Sequence, residues 1–127
     1  MKILFIMTAS IAIKKNNDIL KELTSKKVII DCIITENAKK MCSTKEVQKI
    51  IKGKVYTNIS NKNNEMLHID LTRKSDLIVV CPATANIIAK FANGYADDLA
   101  SSSLIASNKQ VIIIPAMNSE MWNNKIN

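Results

Sequence analysis

Two glycines and two prolines are all that 127 residues contain of those types, and aromatic residues reach only 4%. No G-x-G-x-x-G run occurs, so the usual dinucleotide fingerprint is absent. The three cysteines, Cys32, Cys42 and Cys81, show no C-x-x-C spacing and lie in apolar or helical stretches. That excludes a disulfide scaffold and a zinc site, and predicts a reducing, cytoplasmic setting. No apolar run approaches the ~20 residues that span a bilayer, so no membrane span is expected. Arginine is scarce as well: of 18 basic residues only Arg73 is one. Direct readers of bases and phosphates favour its planar fork, with aromatics nearby. The formal net charge of +7 is confined to residues 1–54, with 12 basic against 5 acidic groups, whereas residues 55–127 balance at 6 and 6. The lysines read as solvated faces, and no nucleic-acid partner is predicted.

What is present is globular. Hydrophobic residues make up 47% and charged residues 23%, and the length suits one compact domain. Met1-Lys2 followed by Ile3–Met7 has the look of a signal-peptide start. Ala9 and Ala12 miss the A-x-A spacing, however, and Thr8 and Ser10 break the apolar stretch, so a buried strand leading into a helix is expected instead.

Four apolar runs without polar alternation predict strands covered on both faces: Lys2–Met7, Lys27–Ile34, Leu77–Cys81 stopped by Pro82, and Gln110–Ile114 stopped by Pro115. Between them lie helical patterns. Ile13, Ile19, Leu20 and Leu23 share one side of the first. Thr35 caps a short helix carrying Ala38 and Met41, and Ser43–Glu46 reads as a capping box for a helix with Val47, Ile50 and Ile51 inward, ending near Gly53. Residues 57–66 are polar and asparagine-rich and read as a loop. Leu67–Lys74, Thr84–Asn93 and Asp97–Ser107 read as helices, with Gly94 closing the second. The predicted class is α/β: a three-layer Rossmann-like (flavodoxin-like) open parallel sheet with helices on both faces.

In such sheets ligands bind beyond the carboxyl ends of the strands. The segments there are Thr8–Ser10, Thr35–Asn37, Pro82–Asn86 and Pro115–Trp122, rich in hydroxyls, amides and small residues. They suit a planar polar ligand whose phosphate is held by hydroxyls and helix N-termini. Each candidate also has a plain structural reading. Thr8-Ala9-Ser10 cradles a phosphate or merely caps a helix. The first strand ends without a carboxylate, which argues against a receiver-type phosphoacceptor. His68 is the lone histidine, a residue type suited to proton transfer near neutrality, yet such residues often serve structure alone. Asn86 orients a ligand or forms a turn. Met117, Met121 and Trp122 flank Asn118 as an apolar lid or as core. Asp97 and Asp98 read as helix caps.

Three segments resemble the homo-oligomeric flavin-containing cysteine decarboxylases, in particular the branch acting on phosphopantothenoylcysteine. They are Pro82-Ala83-Thr84-Ala85-Asn86, Ala92–Leu99 and Pro115-Ala116-Met117-Asn118-Ser119-Glu120-Met121-Trp122. Ser10-Ile11-Ala12, Val55-Tyr56-Thr57 and His68-Ile69-Asp70-Leu71 also match, so the resemblance runs from Lys2 to Asn123. It implies FMN as cofactor and oxidative decarboxylation of 4'-phosphopantothenoylcysteine to 4'-phosphopantetheine in coenzyme A synthesis. It further implies His68 as the base for the substrate thiol, and Asn86, Asn118, Met117, Met121 and Trp122 against the substrate. The cofactor falls to Thr8, Ser10, Thr35, Thr84, Ala85 and Asp98. A homotrimer or higher assembly of trimers is implied, with a separate synthetase polypeptide as a further partner. The family carries glycine where this chain has Ala9 and commonly threonine where it has Ile87. Relatives run on through a loop bearing a cysteine, so residues 1–127 are expected to form a single flavoprotein domain without that C-terminal part. A non-catalytic FMN-binding or regulatory homologue of the same family is the open alternative. A flavin prenyltransferase shares the fold, but the Pro115–Trp122 motif argues against it.

Overall fold

A computed structural model describes residues 1–57 and 67–116. The strands are β1 (Lys2–Met7), β2 (Ile29–Ile34), β3 (Val55–Tyr56), β4 (Leu77–Ala83) and β5 (Val111–Pro115). The helices are α1 (Asn16–Ser25), α2 (Glu36–Lys39), α3 (Thr44–Ile50), α4 (Leu67–Lys74), α5 (Ala85–Ala92) and α6 (Leu99–Ala106), and a 3-10 turn at Ile11–Lys15 leads into α1. None of these helices is long and apolar enough to cross a membrane.

The sheet is parallel throughout, in the order β3-β2-β1-β4-β5. Its central strands are apolar on both sides because both are covered. On one face Ile3, Phe5 and Met7 pack with Ile13, Leu20, Ala38 and Val47 from the turn and α1–α3. On the other, Leu4 and Ile6 pack with Leu71, Ile87, Leu99 and Leu104 from α4–α6. The expected three-layer open sheet is therefore present.

The structure differs from the sequence reading in several places, among them β5, an edge strand whose Ile112 and Ile114 are exposed rather than covered. A fifth strand exists, the two-residue β3, held to β2 where the Cys32 N–H donates to the Lys54 carbonyl at 2.9 Å. With β3 the order matches the first five strands of the Rossmann order 3-2-1-4-5-6; without it the remaining strands follow the flavodoxin pattern. Pro82 and Pro115 fall inside strand ends rather than stopping them, and β4 carries a register shift between Val80 and Ala83 that absorbs its proline. Ile19 is exposed rather than inward, and Met41 lies past the end of α2 rather than on it. The one-sided reading of α1 holds for Leu20, which is fully buried.

All three cysteines are free, with Cys32 and Cys81 buried. Burial pushes the Cys32 thiol far up, reinforced by the neighbouring Cys42 and Asp31. It raises Cys42 and Cys81 too. A raised folded-state value means that the folded chain keeps protons that the unfolded chain releases. Stability contributed by these thiols is thus complete below about pH 8.5 and declines as pH rises beyond it. A disulfide-exchange reagent at mildly alkaline pH should leave Cys32 unmodified in the folded protein and label it on unfolding. Rapid stoichiometric labelling of native Cys32 would contradict the burial.

Candidate active site

The chain runs outward from β1 through β2 to β3, then returns to β4 on the other side of β1. The helix following β1 lies on one face and the helix following β4 on the other, so the connections diverge beyond Met7 and Ala83. A cleft of ≈ 440 Å³ opens there, within the usual range for a small-molecule site. Its floor is clipped by Thr8, whose buried hydroxyl donates to the Pro82 carbonyl and accepts from the Thr84 N–H at 3.1 Å. Buried Asn16 braces the same strand, its Nδ2 donating to the Cys81 carbonyl at 2.9 Å. Nothing in the sequence marked Asn16, because its partner lies 65 residues away.

Three hydroxyls ring the cleft, each at the start of a helical segment. Ser10 Oγ accepts from the Ala12 N–H, Thr35 Oγ1 from the Ala38 N–H and Thr84 Oγ1 from the Ile87 N–H, all at 3.3 Å. A capping hydroxyl acts as acceptor only, so its own O–H remains to donate. None of the three donates to another described residue. Ala85 and Asn86, the first two residues of α5, line the cleft with backbone N–H groups that have no partner within the helix. The arrangement suits the phosphate of a nucleotide-like ligand.

Ala85 and Asn86 line the cleft, with Asn86 exposed. Asp98 lines it as well, but its carboxylate caps α6, accepting the Ser101 N–H at 2.8 Å in a reciprocal capping box. Asp97 plays a different part, meeting Lys90 at 3.0 Å. Lys90 also lines the cleft, as do Glu36 and Asn37. The sequence reading placed Glu36 and Asn37 in the rim segment Thr35–Asn37 but did not name Lys90 as ligand-facing.

His68 is not among the cleft-lining residues of this chain. It lies in the first turn of α4, a helix that packs against α6. Because α4 leads back into the start of β4, its first turn sits toward the carboxyl edge of the sheet. His68 Nδ1 is buried and has no hydrogen-bond partner among the described residues. Met117, Asn118, Met121 and Trp122 lie outside the described residues.

A model of the Flavoprotein family matches residues 1–127. The Bacillus subtilis coenzyme A biosynthesis bifunctional protein CoaBC is 36% identical over 122 residues, which covers 94% of this chain and 30% of that protein. The chain thus spans under a third of that relative's length. A Streptococcus mutans protein named "probable phosphopantothenoylcysteine decarboxylase" is 33% identical, covering 98% of this chain and 72% of that one. Among solved structures, the FMN binding protein AtHal3 superimposes with a TM-score of 0.85 at 25% identity, covering 97% of this chain and 69% of the other.

Proposed function

The chain belongs to the Flavoprotein family, and from that premise we propose that its cleft holds FMN and serves oxidative decarboxylation of 4'-phosphopantothenoylcysteine to 4'-phosphopantetheine. The observation carrying this reading is the ring of Ser10, Thr35 and Thr84, three cap hydroxyls with unengaged O–H groups around one cleft. Together with the α5 N–H groups they would hold the FMN phosphate. Thr8 contributes as the clip that fixes the β1 and β4 loops, and Ala85 and Asp98 as cleft wall. A relative acting in coenzyme A synthesis and another named for this decarboxylation support the substrate.

An unactivated carboxylate has nowhere to send its electrons when carbon dioxide leaves. FMN bound there would supply an acceptor for the hydride on the cysteine Cβ, with the thioaldehyde as electron sink for decarboxylation, and in its reduced form would supply the hydride that converts the enethiol to 4'-phosphopantetheine. His68 takes the thiol proton. Asn86 and Asn118 orient the carboxylate through neutral amides; a full cation there would stabilise the group that must be lost. Met117, Met121 and Trp122 keep water from the reacting face. His68 does not line the cleft of its own chain, which favours a site completed by a second copy and thus a homotrimer or an assembly of trimers. That one relative is named bifunctional supports a second activity of coenzyme A synthesis, a synthetase polypeptide, as a partner.

Purified protein, reconstituted with FMN if needed, should show a flavin spectrum and release FMN on denaturation. Anaerobic mixing with phosphopantothenoylcysteine should bleach the flavin and release carbon dioxide. A protein that never retains flavin sinks the reading. Retained flavin without bleaching would identify the non-catalytic homologue instead.

A further inference from the structure

Lys90 is the one cationic side chain among the described residues that line the cleft. It stands late in α5, with its side chain only 19% exposed and its Nζ 3.0 Å from Asp97 Oδ1. Asp97 reaches this point because the chain reverses after α5. Gly94 takes a φ of +68°, which side chains rarely adopt, and the Tyr95 N–H donates back to the Lys90 carbonyl at 2.8 Å. The same oxygen, Asp97 Oδ1, also accepts the Ser101 hydroxyl at 3.2 Å. The hydrogen bond from Lys90, ahead of every other influence, holds the Asp97 carboxyl below its ordinary range.

An ammonium carries three donors, and Asp97 is the only described group that engages one of them. Glu36 and Asp98 also line the cleft, so without Lys90 its charged wall would be acidic throughout and would repel an anion. Asp97 is 45% exposed and can turn to water when a better acceptor arrives. A phosphate dianion is such an acceptor, with more charge and three oxygens.

We propose that Lys90 is a phosphate-recognising residue of the cleft, donating to a phosphate monoester of the bound ligand while Asp97 acts as the internal competitor that it leaves. The inference rests on reading the cleft as a site for phosphorylated molecules, and adds the residue that tells them from unphosphorylated ones. The phosphate belongs either to the flavin or to the substrate.

The full chain is titrated with inorganic phosphate while backbone amide signals of Thr84–Lys90 are followed by nuclear magnetic resonance. Wild type should shift saturably, and Lys90→Met should bind roughly tenfold more weakly, the scale of one charge-assisted hydrogen bond. Lys90→Arg should bind nearly as well as wild type, and Asp97→Asn more tightly because the competitor is gone. A purely structural ion pair moves both single losses in the same direction, so a joint fall in affinity overturns the proposal. Variants titrating like wild type overturn it too. The source follows from two ratios, FMN against riboflavin and phosphopantothenoylcysteine against its dephosphorylated form. Whichever ratio collapses in Lys90→Met identifies the phosphate that Lys90 holds; retention of both ratios again overturns the proposal. Failure of wild type to bind FMN would remove the function proposed above and leave the phosphate result to stand alone.

Discussion

Gly53→Ala should destabilise the fold by roughly 3 kcal/mol, at the upper end of what overpacking costs. A Cβ built on Gly53 would lie 2.1 Å from the Ile30 carbonyl oxygen, 2.7 Å from its carbon and 2.3 Å from Asp31 Oδ1. Two of those atoms are backbone in a buried strand and cannot step aside. The turn must move instead, and it carries several dependent contacts. Asp31 Oδ1 accepts the Lys54 N–H at 3.0 Å and Oδ2 pairs with Lys2 at 3.1 Å. Gln48 brackets the same turn, donating to the Gly53 carbonyl at 2.8 Å and accepting from the Val55 N–H at 3.0 Å. Displacement of Gly53 therefore costs β3 its register as well as its anchor. Gly94→Ala offers the contrast: nothing lies within 4 Å of its would-be Cβ, and only the +68° backbone resists, at about 1 kcal/mol. Chemical denaturation should rank Gly53→Ala well below Gly94→Ala, with a melting temperature lower than wild type by on the order of 10 °C. Equal stability of the two variants would mean that the turn relaxes freely.

The strands were legible because burial on both faces leaves an unbroken apolar run, as in Ile3–Met7 and Ile30–Ile34. β3 was not, since two residues carry no period and their pairing depends on Gly53 and Gln48 rather than on composition. Pro82 misled in a physical way: a proline lacks the ladder N–H, yet the register shift after Val80 lets β4 continue past it.

The position of the cleft followed from topology alone, because diverging connections at the switch point must open a crevice. Caps at Thr35, Ser43 and Asp98 were legible since capping is local in sequence. Lys90 with Asp97 was not, although seven residues separate them. Gly94 was legible as the stop of α5, but that its left-handed turn carries Asp97 back to Lys90 was not. Asn16 and Thr8 show the same limit, each bonded to a carbonyl in β4 across most of the domain. His68 stood out only by being alone and by resemblance. The structure adds a buried ring nitrogen without a hydrogen-bond partner among the described residues, which no pattern in the sequence announces.

That nitrogen sets the largest expected effect on activity. A buried polar atom with no partner is a cost to the fold, about 1–3 kcal/mol for a neutral group. His68 Nδ1 is in that position among the described residues. A residue kept for structure would be stabilised by its ring contacts, and its loss would be felt in the melting curve. A residue kept for proton transfer behaves otherwise: removal spares the fold, or even relieves it, and strikes the chemistry. His68→Asn keeps a polar side chain of similar reach, but an amide cannot accept the thiol proton. The variant should bind FMN as wild type does and unfold within ~1 kcal/mol of it. Flavin reduction by phosphopantothenoylcysteine should slow by roughly 10²–10⁴, the usual worth of a positioned acid–base group. Stopped-flow bleaching under anaerobic conditions reads that rate, and denaturation of the same sample reads the stability. Bleaching at the wild-type rate would take His68 out of the reaction. A large loss of stability alongside slow bleaching would instead mark it as a residue of the α4–α6 packing, with the thiol proton going to another group.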